Sequence, residues 1–202
     1  MISVNPEGLS ERENYKFLTG SIIPRPVALV TTQSETGVLN IAPFSFFNIV
    51  SSNPPMISVS VQRKKGVSKD TARNAIETGE FVVHITDEDN VVDANQTAAE
   101  LPAEESELRL TNFTTTASDK VAVPGLREAK VRLECKLERA IPLAGSSDKP
   151  GCDLLIGKVV CYHIKQDIYH NGRIDQNGLK PVARLAGHTY TKLGELFDLE
   201  RP

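Results

Sequence analysis

The sequence predicts a mainly β protein, an antiparallel barrel with a few helices packed outside it. Three observations carry this. Strand-like runs outnumber helical ones, neighbouring runs are often separated by turns of hairpin length, and the regular strand and helix alternation of a doubly wound sheet is missing. With 202 residues, no internal repeat and no linker composition, the chain reads as a single domain over 1–202, large enough to build a core without metal or disulfide.

The elements follow in order. Ser10 and Glu13 form a capping-box pattern, which starts a short helix reaching about Thr19 and stopping at Gly20. Pro24 and Pro26 then force an extended entry into an interior strand, Val27 to Thr32, and hold Arg25 at its mouth. Ser34 to Gly37 reads as a hairpin turn and Val38 to Ile41 as the return strand. Asn40 to Pro55 is too polar for a buried strand and too apolar for a solvent loop: Phe44, Phe46 and Phe47 alternate with Ser45, Asn48, Ser51 and Ser52 between prolines. That mixture suits the wall of a pocket for a flat heteroaromatic ligand, whose faces need apolar contact and whose edge needs fixed donors and acceptors.

Met56 to Gln62 alternates strictly, as a half-buried strand does, with Ile57, Val59 and Val61 on one face. Ser68 is placed to cap a helix from Lys69 to about Thr78, with Gly79 as its stop. Phe81 to Thr86 is a further strand, and Asp87 caps a helix predicted from Glu88 to about Glu100. Leu101 to Pro124 has no sustained period and reads as an excursion over an opening or an oligomer surface. From Lys130, Val131, Leu133, Cys135 and Leu137 alternate with Arg132, Glu134, Lys136 and Glu138, a strand with one wet face. After a turn at Gly145–Gly151, Asp153 to Lys165 is apolar on both faces, as a central strand or one buried by a second subunit would be. Gln166 to Lys180 is loop, and the tail carries Arg184 to Tyr190 (R-L-A-G-H-T-Y).

Composition excludes several classes. A net charge of −3 with mixed signs offers no basic stripe, so nucleic acid is not an expected partner, and no apolar run approaches membrane-spanning length. Three widely spaced cysteines and an N-terminus without a signal pattern fit a reducing cytoplasm. The four histidines show no H-E-x-x-H pairing and the cysteines no C-x-x-C, so no metal is expected; His84 and His163 read as hydrogen-bonded core or interface residues. Gly-rich phosphate loops and the G-x-S-x-G elbow are also missing, which leaves the Rossmann, P-loop and hydrolase readings without their signatures.

Two further segments suit a ligand. At the start of the Lys69 helix, free amides, the positive dipole end, a lysine and the Thr71 hydroxyl suit a phosphate; Asp70 opposes an anion unless it turns outward or bonds a sugar-like hydroxyl. Arg25 could supply a second cation, and Arg184, His188 and Tyr190 surround a glycine that permits close approach. Each segment alone also has an ordinary reading, as a core loop, a capped surface helix or a last strand.

Together, T-G-S-I-I-P-R-P-V-A-L-V-T-T, N-I-A-P-F-S-F-F-N-I-V-S-S-N-P-P, K-D-T-A-R-N and R-L-A-G-H-T-Y resemble the flavin reductase-like, FMN-binding split-barrel family, in the branch that includes flavoredoxin. The resemblance implies a six-stranded antiparallel Greek-key split barrel with a few peripheral helices, a homodimer, and FMN held noncovalently near the subunit interface. It implies that the Ser45–Ser51 stretch, including Phe46 and Ile49, lines the flavin ring, with Ser45, Asn48 and Ser51 as hydrogen-bonding positions. Lys69 and Thr71 match the phosphate-contacting part, Asp70 between them is a cofactor-binding position, and Arg25 and Arg184 match charged positions near the cofactor. No catalytic side chain is then required, because the flavin carries the redox chemistry, and His188 or Tyr190 would meet the nicotinamide. The expected activity is that of an NAD(P)H-dependent flavin reductase or FMN-dependent oxidoreductase. The alternatives are a flavoredoxin-type flavoprotein reduced by an electron-transfer protein, and a noncatalytic split barrel that binds FMN or haem.

Overall fold

The computed structural model describes residues 1–145 and 150–201. Its strands are β1 (Arg25–Pro26), β2 (Ala28–Gln33), β3 (Leu39–Phe44), β4 (Phe47–Ser52), β5 (Pro55–Gln62), β6 (Glu80–Ile85), β7 (Thr115–Thr116), β8 (Gly125–Leu126), β9 (Val131–Leu143), β10 (Cys152–Ile164), β11 (Tyr169–His170), β12 (Arg173–Ile174), β13 (Val182–Arg184) and β14 (Tyr190–Lys192). The helices are α1 (Glu11–Ser21), α2 (Asp70–Thr78), α3 (Val91–Gln96) and α4 (Gln176–Leu179).

Seven strands form one antiparallel sheet in the order β3-β2-β6-β9-β10-β5-β4. Its two edge strands, β3 and β4, are consecutive in the chain, joined through Ser45 and Phe46. The sheet therefore rolls up until its edges approach, and the split between them is bridged by the Asn40–Pro55 stretch. The seventh strand, one beyond the six expected, is β4, from a segment whose polar residues read as loop. As an edge strand it needs pairing on one side only, with β5.

Alternation fills the barrel. Val30, Val59, Val61, Phe81, Val83, Leu133, Cys135 and Leu155 meet inside it. Gly157 on β10 faces the Phe81 ring so closely that a Cβ there would lie 2.3 Å from Phe81 Cζ and 3.2 Å from Cys135 Cβ. Both walls are rigid core, so Gly157→Ala is expected to destabilise the protein by about 3 kcal/mol, through overpacking. A lowered urea midpoint with an unchanged slope is the expected measurement.

Several local expectations shift. The capping box at Ser10 and Glu13 is present, but α1 continues through Gly20 to Ser21. Helix α2 ends at Gly79 in the left-handed conformation (φ 74°), yet Lys69, not Ser68, is its N-cap and makes no side-chain capping bond. The Ser68 hydroxyl instead donates to Asp153 (2.9 Å), whose buried carboxylate also receives a fork of bonds from Arg63. Helix α3 is confined to Val91–Gln96 because the Asp87 carboxylate takes the Asp89 and Asn90 N–H groups in a turn ahead of it. The expected turn at Gly145–Gly151 lies largely outside the described residues, 146–149 being among those left out.

The largest correction concerns the outer face of the sheet. The excursion after Leu101 packs Phe113 against Leu29, Ile41 and Leu126, and packs Val121 and Val123 against Val82. It covers the face of β9 that alternation marked as wet, so Glu134 is fully buried and Arg132 half-buried. Among the described residues no helix is long and apolar enough to cross a membrane.

Candidate functional site

A groove follows the Asn40–Asn48 segment across the split. Its first part, a cavity of about 540 Å³, lies between β3, the start of α2 and the end of α3. Lys65, Lys69 and Thr71 face it on one side, and Phe44, Ala98 and Glu107 on the other. The second part, about 560 Å³, shares Pro43, Phe44, Ala98 and Ala99 with the first and continues to Arg25, Ser45, Arg184, His188 and Tyr190. A third hollow, about 370 Å³, shares Arg25 and Ser45 and is walled by Phe46, Phe47 and Asn48.

The first part presents hydrogen-bond donors and cations. The first intrahelical bonds of α2 run from the Ala72 and Arg73 N–H groups to the Lys69 carbonyl, so the Asp70 and Thr71 N–H groups stand ahead of the ladder. Thr71 Oγ1 accepts from Asn40 Nδ2 (2.9 Å), which leaves its own proton to donate. Asp70 is turned aside by an ion pair with Arg73, and Lys64 pairs with Glu100. Among the described residues, Lys65 and Lys69 have no carboxylate partner. Burial pushes the Glu107 carboxyl up, although it accepts the Ile41 N–H at 2.9 Å.

The second part mixes aromatic, hydroxyl and guanidinium groups. Arg25 is buried and its guanidinium is already employed: it donates to the carbonyls of Thr19 (2.8 Å), Ile22 (2.5 Å) and Leu185 (2.8 Å). It ties the C-terminal end of α1 to the β13–β14 turn, so Arg25 positions the groove wall and keeps only a long contact, 3.5 Å, to Ser45 Oγ. Arg184 lies over the Tyr190 ring, 4.6 Å from its centroid, and donates to the Gly187 carbonyl.

The fold thus gathers Arg25, Ser45, Lys69, Asp70, Thr71, Arg184, His188 and Tyr190 along one groove, and puts Phe46 and Asn48 in the adjoining hollow. Ile49 and Ser51 line none of these three cavities; Ile49 is 76% exposed on the outer edge strand β4. Sequence reasoning missed Glu107 and the α3 residues Asn95 and Gln96, which reach the groove only by packing across it. The one available signal was the Asn-Gln pair inside the helix predicted from Glu88 to about Glu100.

The fold and groove define a class: a split β-barrel with an elongated ligand groove at the split. Residues 19–178 match the family model described as flavin reductase like domain, and the chain belongs to that family. Its chemistry is therefore flavin-linked oxidoreduction. Nitrilotriacetate monooxygenase component B from Bacillus cereus is 61% identical, with 98% of each chain covered and a TM-score of 0.97. The 2-nitrobenzoate 2-nitroreductase of Pseudomonas fluorescens is 28% identical over all of this chain and 96% of its own, with a TM-score of 0.89. Flavoredoxin of Desulfovibrio vulgaris, at 23% identity, 88% and 91% coverage and a TM-score of 0.75, shares the fold.

The residues present fit a phosphate-bearing flavin. The groove has a donor-rich, cationic end for a phosphate and, beyond Phe44, a wall of aromatic and hydroxyl groups for a ring.

Proposed function

We propose that this protein is an NAD(P)H-dependent flavin reductase that holds FMN in the groove along Asn40–Asn48. The observation that carries the proposal is the continuity of the groove: Lys69, Thr71 and the α2 amides at one end and Ser45, Arg184 and Tyr190 at the other share the Pro43–Phe44 wall. Bound flavin supplies the redox chemistry, accepting two electrons from reduced nicotinamide and passing them to an acceptor.

The side chains bind and orient. Lys69, the Thr71 hydroxyl and the Asp70 and Thr71 N–H groups hold the phosphate, with Asp70 kept away by Arg73. Ser45 and Asn48 offer donors and acceptors to the ring edge, and Phe44 and Phe46 exclude water from its faces. The donors lie on a barrel wall and cost no reorganisation, which favours negative charge on a reduced ring. His188 is exposed and Tyr190 half-exposed at the groove mouth, where a nicotinamide would enter.

The proposal includes a homodimer. Ile49 and Val50 on β4 and Phe17, Leu18, Ile22 and Ile23 on and after α1 expose apolar surface, which a second copy would cover. Ile49 and Ser51 would then meet a flavin from the interface side. Three free cysteines fit the proposed location in the cytoplasm.

Stopped-flow mixing of the FMN-loaded protein with NADH or NADPH tests this reading. The expected result is rapid bleaching of the flavin followed by turnover with free flavin as acceptor. Bleaching only by a reduced electron-transfer protein would replace it with the flavoredoxin-type role, and a Soret band in the purified protein would replace flavin with haem.

A further inference from the structure

Outside the groove, the covered face of β9 and β10 gathers a second set of reactive side chains. Cys161 and His163 are two apart on β10 and project to the same face, where Glu134 of β9 stands opposite Cys161 in register. The excursion that covers this face lays Asp119 over them. One ligand atom each from Asp119, Cys161 and His163 lies within 4.8 Å of the other two.

Glu134 organises the group. It is fully buried, and its carboxylate accepts the Asp119 N–H (2.7 Å) and the Lys120 N–H (2.6 Å) and bonds His163 Nε2 (2.5 Å). One side chain therefore pins the backbone that carries Asp119 and orients the His163 ring. With Nε2 engaged by the carboxylate, Nδ1 is the ring nitrogen left to take an ion, giving up any proton as the ion binds. A buried carboxylate behind a histidine is the usual outer-shell support of a metal-ligating imidazole.

We propose that Asp119, Cys161 and His163 form a binding site for a divalent transition-metal ion of the Zn²⁺ type, with water as the fourth ligand. The donor set decides the class. One sulfur, one imidazole and one carboxylate suit Zn²⁺ or its neighbours, whereas Ca²⁺ and Mg²⁺ take oxygen. Tetrahedral ligands at about 2.0–2.3 Å sit roughly 3.5 Å apart, so a cluster already within 4.8 Å closes by side-chain rotation. Asp119 is exposed and the other two half-buried, which gives an ion a route in from solvent. Lys120 and Arg132 stand nearby, Arg132 opposite His163 in register. The Asp119 and Glu134 carboxylates and the Cys161 thiolate outweigh these two cations, and the thiol proton leaves as the ion binds. A bound ion would clamp the cover onto the barrel wall.

The test uses the full-length, flavin-loaded protein, stripped with chelator and given one equivalent of Zn²⁺. X-ray absorption at the zinc edge is expected to show one sulfur at about 2.3 Å and nitrogen or oxygen at about 2.0–2.1 Å. Cys161→Ser is expected to remove the sulfur signal. Competition against a chromophoric chelator is expected to show at least tenfold weaker Zn²⁺ binding for Cys161→Ser and for His163→Ala, and a tenfold or greater loss for Glu134→Gln. Flavin absorbance should not change in any of them. A first shell without sulfur, sulfur persisting in Cys161→Ser, or equal Zn²⁺ affinity in wild type and the two ligand variants would overturn the proposal. His163 and Cys161 are partly exposed, so their variants decide the question even where Glu134→Gln fails to fold.

Discussion

Acidification from pH 7 to pH 4 is expected to cost the fold about 3 kcal/mol through one side chain, His84. The ring is fully buried between β2 and β8; Nδ1 bonds the Leu29 carbonyl (2.9 Å) and Nε2 accepts the Leu126 N–H (2.8 Å). An Nε2 that accepts is a neutral imidazole, and protonating it would set a new N–H against that of Leu126. Burial, with Arg132 adding to it, lowers the pKa to about 4, although the Leu29 carbonyl and Glu128 pull it back.

The folded value is below the unfolded one of about 6.5, so between these the unfolded chain binds the extra proton. Stability therefore falls as the pH drops through that window and is complete above it. Asp87 and Glu107, whose carboxyls burial pushes up, act in the opposite direction and gain stability as they protonate. His84→Leu keeps the volume, strands two backbone groups, and loses about 1–3 kcal/mol at pH 7. Urea midpoints from pH 7 to pH 4 should show the difference between the two proteins moving by about 3 kcal/mol in the variant's favour, which closes or reverses its deficit, because the carboxyl contributions are common to both proteins. Parallel profiles would mean that another group carries the acid sensitivity.

The parts of this fold that were legible in the sequence are those whose cause is local. Ile57, Val59 and Val61 alternate because β5 has one buried face, and Gly79 ends α2 because the chain needs a positive φ there. That Lys69 and Thr71 face the same groove was legible for the same reason, since they share a first turn whatever the rest of the chain does. What sequence reasoning lost depends on distant chain. Arg132, Glu134 and Lys136 look like a solvent face until Val121 and Val123 arrive to cover part of it. Asp119 belongs beside Cys161 and His163 only because Glu134 holds its N–H, and no spacing rule connects positions so far apart. Arg25 lines the groove as its place at a strand mouth suggests, but three backbone carbonyls use its guanidinium, and one of them, that of Leu185, comes from chain that no local rule brings there.

Replacing Lys69 and Thr71 together should separate the phosphate from the rest of the flavin. Lys69 makes no side-chain capping bond and no ion pair among the described residues, so Lys69→Ala removes a cation without breaking a side-chain bond. Thr71 is buried and its Oγ1 accepts from Asn40 Nδ2; Thr71→Val keeps the shape, and Asn40 Nδ2 retains Thr32 Oγ1 at 3.3 Å. Hydrogen bonds to a charged partner contribute about 1.5–3 kcal/mol each, so the double variant should weaken FMN by about 3 kcal/mol, on the order of 10²-fold in Kd. Riboflavin has the same ring and no phosphate, and its affinity should stay within about twofold of wild type. Fluorescence titration of both ligands at two salt concentrations reads the difference, and the FMN deficit should shrink as salt screens the lysine. Equal losses for FMN and riboflavin would point to a distorted groove, and an unchanged FMN affinity would take the phosphate away from α2. Only loss confined to FMN fits a phosphate held by Lys69 and Thr71 with the ring beyond Phe44, on the strand that closes the split.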